Sequence, residues 1–196
     1  MKTLRKRWGL TAALLILTLI AVVVALVKLP WSYSATADIM LLPSNNLAKS
    51  YGGNPFLAFN STINETADVI RYEATDMHTA KILAAAGYTQ GYTIKDALDT
   101  SAPILLITVT GSNAGAVEYT LTGVVNEIST LLASQQSGFS AVNHIHDMVI
   151  ASNPLASRVI SKKARPLIIV LAVGLFFTVA IPVLVDAVTE RRLALG

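Results

Sequence analysis

The chain carries no charged residue from Trp8 to Val27, and none again from Pro166 to Val185. Each run is 20 residues long. At about 1.5 Å rise per residue, a helix of that length crosses the roughly 30 Å hydrocarbon core of a bilayer. The pattern predicts a membrane helix near each end and a folded segment between them.

Between the runs the apolar residues fall into shorter periods. Ser34–Leu42 predicts an extended segment, closed by Pro43-Ser44-Asn45-Asn46. Asn54-Pro55 predicts a helix start, with Asn as cap and Pro at the first helical position. Phe56, Phe59, Ile63, Ala67 and Ile70 follow at spacings of three and four, so one helix is expected to present them on one face. Asp76 is placed to cap a second helix, Met77–Ala86, with Ile82 and Leu83 turned inward and Gly87 as a left-handed stop. Tyr92–Leu98 predicts a short strand in which Tyr92, Ile94 and Asp96 alternate against Thr93, Lys95 and Ala97. Ile104–Thr110 is the strongest strand signal in the chain. After the turn at Gly111-Ser112-Asn113, a helix is expected from about Ala114 to Ser134, with Val117, Leu121, Val124, Val125, Ile128, Leu131 and Leu132 on one face. His144–Ser152 reads as a last strand running into Asn153-Pro154. The order is βαββαβ, an α+β split βαβ domain with helices on a sheet, flanked by two transmembrane helices.

Composition sharpens this picture. Only 14% of residues are charged and 53% are apolar, against roughly 25% charged in an average soluble domain. Mean hydropathy is +0.57. An ordinary soluble domain and a disordered chain are both excluded. The net charge of +3 sits at the tips, on Lys2, Arg5, Lys6, Arg7, Arg191 and Arg192. Nine basic and ten acidic residues balance between the apolar runs, so nucleic acid is not an expected partner. The absence of cysteine removes disulfides, thiolate chemistry and Cys-ligated zinc.

Arginine and lysine flank membrane helices on the cytoplasmic side. The expected organisation is a cytoplasmic N-terminus over 1–9, a span over 10–27, an extracytoplasmic α+β domain over 28–165, a second span over 166–185 and a short cytoplasmic tail over 186–196. The first span reads as a retained signal anchor, because a cleavable signal has an apolar stretch of about 7–15 residues. Cleavage after Ala37 is the formal alternative. Arg158, Lys162, Lys163 and Arg165 then lie on the outer face, against the positive-inside bias. That bias weakens for loops beyond about 60 residues.

His144 and His146 share a strand face and Asp147 follows, but no third ligand at suitable spacing accompanies them. Edge-strand histidines are the reading preferred over a metal site. Asp96 with Asp99, and Glu65 with Asp68 and Glu73, supply carboxylates without the paired geometry that glycoside cleavage needs. No nucleophile elbow or phosphate loop is present. Asn60 and Asn64 each head an acceptor pattern for N-glycosylation and read as polar helix residues. No catalytic residue, metal or cofactor is expected. Small residues in the spans (Gly9, Ala12 and Ala13; Ala172, Gly174 and Ala180) permit close helix packing, and Pro182 is placed to kink the second.

One cluster stands out: Arg158, Lys162, Lys163 and Arg165, next to the second span. The plain reading is contact with lipid headgroups. The sharper one is a landing site for an acidic or pyrophosphate-linked glycan.

The order of features resembles a known family. The basic start and span, then Tyr33-Ser34-Ala35-Thr36-Ala37-Asp38-Ile39, resemble the opening of chain-length determinant (Wzz-type) polysaccharide co-polymerases. Tyr92-Thr93-Ile94, Thr100, the strand Ile104–Thr110 and a long helix resemble that family's central strand pair and helix. Ala151-Ser152-Asn153-Pro154, the basic patch, Pro166 and the second span resemble its close. The resemblance implies a non-enzymatic scaffold at the plasma membrane that self-assembles and modulates how long a lipid-linked glycan grows. Its implied partners are copies of itself, a membrane polysaccharide polymerase, the lipid-linked glycan and anionic lipids. Its implied site residues are the four cations and the flanking prolines, Pro154 and Pro166. The chain departs in lacking a long helical insertion, which implies a compact member similar to Gram-positive and actinobacterial capsule proteins. The short segment after the second span implies no fused tyrosine kinase, and Val188–Gly196 offers little for co-activating a separate one. Pro154 and Pro166 are separated by eleven intervening residues, a thin proline signature. The alternative reading is an accessory interaction subunit of a transporter, secretion or envelope-synthase complex.

Overall fold

Every second residue of one strand is buried, and this alternation builds the centre of the domain. In the computed structural model, which describes residues 8–97 and 100–194 (the backbone alone for 189–194), the chain divides into two units. One is Ser32–Arg158; the other joins Met1–Trp31 to Val159–Gly196.

In the first unit, β1 (Tyr33–Leu42) buries Ala35, Ala37, Ile39 and Leu41, while β3 (Ile104–Gly111) buries Leu105, Ile107 and Val109. The two strands pair antiparallel, Ala37 opposite Ile107 and Ile39 opposite Leu105, so both buried rows share one face. With β2 (Gly91–Asp96) and β4 (His146–Arg158) they form an antiparallel sheet of order β2-β3-β1-β4. A short α2 (Asn45–Lys49) follows β1, and helices α3 (Ser61–Thr75), α4 (Met77–Ala85) and α5 (Ala114–Gln135) join the buried face. Ile63, Ala67, Ile70 and Ala74 come from α3, and Val117, Leu121, Val124, Ile128 and Leu132 from α5. Each fully buried Ile, Leu or Val contributes about 1.5–3 kcal/mol relative to exposure. Short polar side chains start the helices. Asn60 accepts from the Ile63 amide at 3.2 Å, Asn113 from the Ala116 amide at 3.0 Å, and Asp76 from the Met77 and His78 amides. Gly87, at φ +95°, ends the second helix in the left-handed region.

Three expectations need correction. Asn54 and Pro55 open only a 3-10 turn, Pro55–Leu57, and α3 starts at Ser61 under its own cap. Phe56 is consequently 53% exposed and leaves the apolar row, while Phe59 packs on the core from the break between the two helices. Ile82 is 47% exposed; Leu83 alone of that pair is buried. The last strand does not end at Asn153-Pro154 but continues to Arg158. Leu98, in the expected second strand, lies outside the described residues.

Strand β4 passes its proline by bulging. Asp38 pairs with Ala151 and Ile39 with Val149, leaving Ile150 extra; Thr36 pairs with Asn153 and Ser34 with Ser157, leaving Pro154, Leu155 and Ala156 opposite one residue. Proline lacks the amide a ladder needs, so an edge strand and a bulge are where a sheet accepts it. The Glu118 carboxylate on α5 takes the freed Ala156 amide at 2.8 Å. Glu118→Ala is therefore expected to cost about 2 kcal/mol, the loss of a charged hydrogen bond. It should speed amide exchange over residues 154–158, while Glu118→Gln keeps most of the protection. Equal exchange in all three proteins would remove Glu118 from this role.

Tyr92 closes the sheet against α3. Its hydroxyl donates to the Ala74 carbonyl at 2.6 Å. Burial pushes that hydroxyl's pKa up, and the charges of Glu127 and Asp76 push it the same way. An unfolded tyrosine ionises near pH 10, before the folded one. The stabilisation is complete below that pH and is lost as pH rises through the folded value. The urea midpoint should fall above about pH 10. Tyr92→Phe should flatten that fall and cost about 1 kcal/mol at neutral pH; an unaltered alkaline slope would assign it to other groups.

The second unit consists of α1 (Trp8–Lys28) and α6 (Ile160–Ala194), both long and apolar enough to cross a membrane. They pack on each other. They meet at Thr18 and Gly174, where any Cβ on residue 174 would overlap the Thr18 side chain. The two buried hydroxyls are satisfied within their own helices: Thr18 donates to the Leu14 carbonyl at 2.9 Å and Thr178 to the Gly174 carbonyl at 2.8 Å. An apolar surrounding requires such internal partners. Helix α6 starts at Ile160, six residues before the charge-free run, and contains both Pro166 and Pro182.

Candidate functional site

Tyr33 and Arg158 are partners across β1 and β4. The start of the first strand and the end of the last therefore lie side by side. Arg158 ends β4 and belongs to the folded domain, whereas Lys162, Lys163 and Arg165 belong to the helical unit, in the opening turns of α6. The four cations lie within eight residues of sequence but are divided between two structural elements. Pro154 sits in the β4 bulge and Pro166 in the second turn of α6, so the two flanking prolines serve different local geometries.

On α6 the cations occupy the positive end of the helix dipole, where positive charge costs about 0.3–1 kcal/mol each, and the first turn holds no acidic residue. Helix stability does not account for their position. Lys162 and Arg165, three apart, share a face. Lys163 is held elsewhere, its ammonium 4.1 Å from the centre of the Trp31 ring. Neither Trp31 nor Lys28, the last residue of α1, is among the residues the sequence singles out. The available signal was an aromatic residue and a cation just past an apolar run, the pattern of a membrane interface.

The other constellations are structural in their contacts. His144 Nε2 lies 3.1 Å from the Phe139 carbonyl oxygen, and His146, on β4, pairs with Leu42 of β1. Arg71 binds Asp68 at 2.7 Å and Asp96 at 3.1 Å, bringing those two carboxylates onto one guanidinium. The hydrogen bond that Arg71 donates to Asp68 does most to raise the Arg71 pKa, burial opposes it, and the Asp96 charge adds to the rise. Glu73 accepts from Gln135 at 2.9 Å. Asp99 lies outside the described residues. Asn60 is the helix cap already described, and Asn64 donates to the Ser101 carbonyl. Among the described residues no group of three or more His, Asp or Glu is placed to hold a metal ion.

No protein-family model matches the chain, and no curated protein does. Among solved structures it is similar to a full-length bacterial polysaccharide co-polymerase. That likeness has a TM-score of 0.47 and 15% identity, and covers 69% of this chain and 46% of that one. The chain thus spans less than half the length of that protein.

Proposed function

We propose that the chain is a membrane-anchored scaffold that modulates polymerisation, chain length or export of a cell-surface polysaccharide, with no bond chemistry of its own. The observation that carries this reading is the bracketing. An α+β domain whose first and last strand residues, Tyr33 and Arg158, are partners is continued on both sides by helices long and apolar enough to span a bilayer. The element order between those helices matches the layout on which the sequence resembles the co-polymerases. In this reading α1 and α6 cross the plasma membrane, both termini are cytoplasmic and the domain over 28–165 stands outside. The protein works as a homo-oligomer beside a membrane polysaccharide polymerase, as a compact member. Arg158, Lys162, Lys163 and Arg165 meet the lipid-linked glycan or the headgroups around it.

Two measurements test this. An impermeant thiol reagent should label Ser137→Cys, an exposed site on a chain with no other cysteine, in intact cells; labelling only after lysis would put the domain in the cytoplasm. Replacing Arg158, Lys162, Lys163 and Arg165 together by Gln should shift the length distribution of the surface glycan while leaving membrane insertion intact. An unchanged distribution removes these residues from the function. If deleting the whole protein leaves the glycan unaltered and abolishes a transport activity, the accessory-subunit reading takes its place.

A further inference from the structure

Between α1 and α6 runs a groove of about 570 Å³. Leu17 and Ala21 line it from one helix, Ile169, Val173 and Phe177 from the other, and the Thr18–Gly174 contact belongs to its wall. Its lining is almost entirely hydrocarbon. Both threonine hydroxyls are bonded to carbonyls of their own helices, so the groove presents no strong polar partner to an occupant. From Ile169 to Ile181 it extends about 18 Å at 1.5 Å per residue, close to the roughly 15 Å depth of one leaflet's hydrocarbon.

One end of this groove is basic. Residues seven apart on a helix return to within about 20° of each other. Lys28 therefore continues the Ala21 stripe on α1, and Lys162 continues the Ile169 stripe on α6. Arg165, four before Ile169, lies one turn below Lys162 on the same side. Among the described residues none of these three has a carboxylate within ion-pair distance. Lys163 is turned onto Trp31 and stands apart from them.

We propose that this groove seats one acyl chain of an anionic phospholipid, with its phosphate among Lys28, Lys162 and Arg165. The charge at one end and the hydrocarbon lining over one leaflet's depth together describe an anionic amphiphile. A second copy's helix fits less well: close helix packing uses small residues at the contact. Here Leu17, Ile169 and Phe177 line the groove, and Gly174 is already taken by Thr18. The proposal rests on the reading of α1 and α6 as membrane spans.

The test uses the full chain in phosphatidylcholine nanodiscs doped with a phospholipid carrying a photoactivatable acyl chain. The probe is either phosphatidylglycerol or phosphatidylcholine, and adducts are mapped by mass spectrometry. Adducts should concentrate on Leu17, Val173 and Phe177 over the outward Ile16 and Phe176. Phosphatidylglycerol should label them about fivefold more than phosphatidylcholine, a modest preference for three cations at a headgroup. The triple variant Lys28→Gln/Lys162→Gln/Arg165→Gln should lose that preference, and Val173→Trp should lose the groove adducts with either lipid. Even labelling of all lipid-facing residues by both probes would overturn the proposal. So would α1–α6 cross-links between copies in place of lipid adducts. A carbonate wash of vesicles separates the two levels: retention of the chain with even labelling rejects the groove alone, whereas release rejects the membrane reading and the groove with it.

Discussion

Ile107→Ala should destabilise the Ser32–Arg158 unit by about 2–5 kcal/mol, the range for truncating a buried Ile. Ile107 is fully buried on the central strand β3, with Ala37 and Ile94 as its cross-strand partners. Ala37 is too small to fill the space left behind, so the cost belongs toward the upper part of that range. Ile107→Val removes one methylene group and should cost about 0.5–1.5 kcal/mol. Leu106→Ala, on the opposite and half-buried face, is the control and should cost less than Ile107→Ala. Urea midpoints of the full chain read all three. Equal losses at 106 and 107 would mean that the helices do not cover the face assigned to them.

Gly174→Leu should force α1 and α6 apart, at a cost on the order of 3 kcal/mol, the upper end for overpacking. The side chain would grow into Thr18, whose Cβ as well as its methyl and hydroxyl stand in the way. Rotating the threonine does not clear the space; the helices must move. With no native cysteine present, pairs introduced across the two helices report their separation by the yield of a short bifunctional cross-linker. That yield should drop sharply in Gly174→Leu. Gly174→Ala should be milder, and adding Thr18→Ala should restore much of its yield, because that change removes the two nearest obstructing atoms. Unchanged cross-linking in Gly174→Leu would show that the helices do not meet at this position.

How much of this was readable in advance follows from where burial is periodic. Ile104–Thr110 alternates because one face is covered, and the cap at Asp76 is local chemistry; both were legible. The stretch after Ser152 was not, because an edge strand exposed over most of its length shows no alternation and Pro154 argues against a ladder. The run from Phe56 to Ile70 has helical spacing throughout, yet two capping asparagines, Asn54 and Asn60, six residues apart, divide it. Spacing alone cannot tell an exposed Phe56 from a buried Ile63. On α6 the charges at 162–165 hid the first turns, since hydropathy marks the membrane segment and not the helix. The basic cluster was legible as composition. Its division between strand and helix was not, nor was the part of Lys28, because each depends on what the chain packs against.

Because the two ends of the domain are partners on neighbouring strands, a force that drew its anchors sideways from one another would load the β1–β4 ladder one rung at a time. Antiparallel strands pulled from the same end open like a zipper and resist far less than strands slid lengthwise. The first obstacle met by such an opening is the bulge over Pro154–Ala156, where the Glu118 carboxylate holds the Ala156 amide from a different element. That bond ties the end of β4 to α5, so peeling must break a contact outside the sheet as well as the ladder itself.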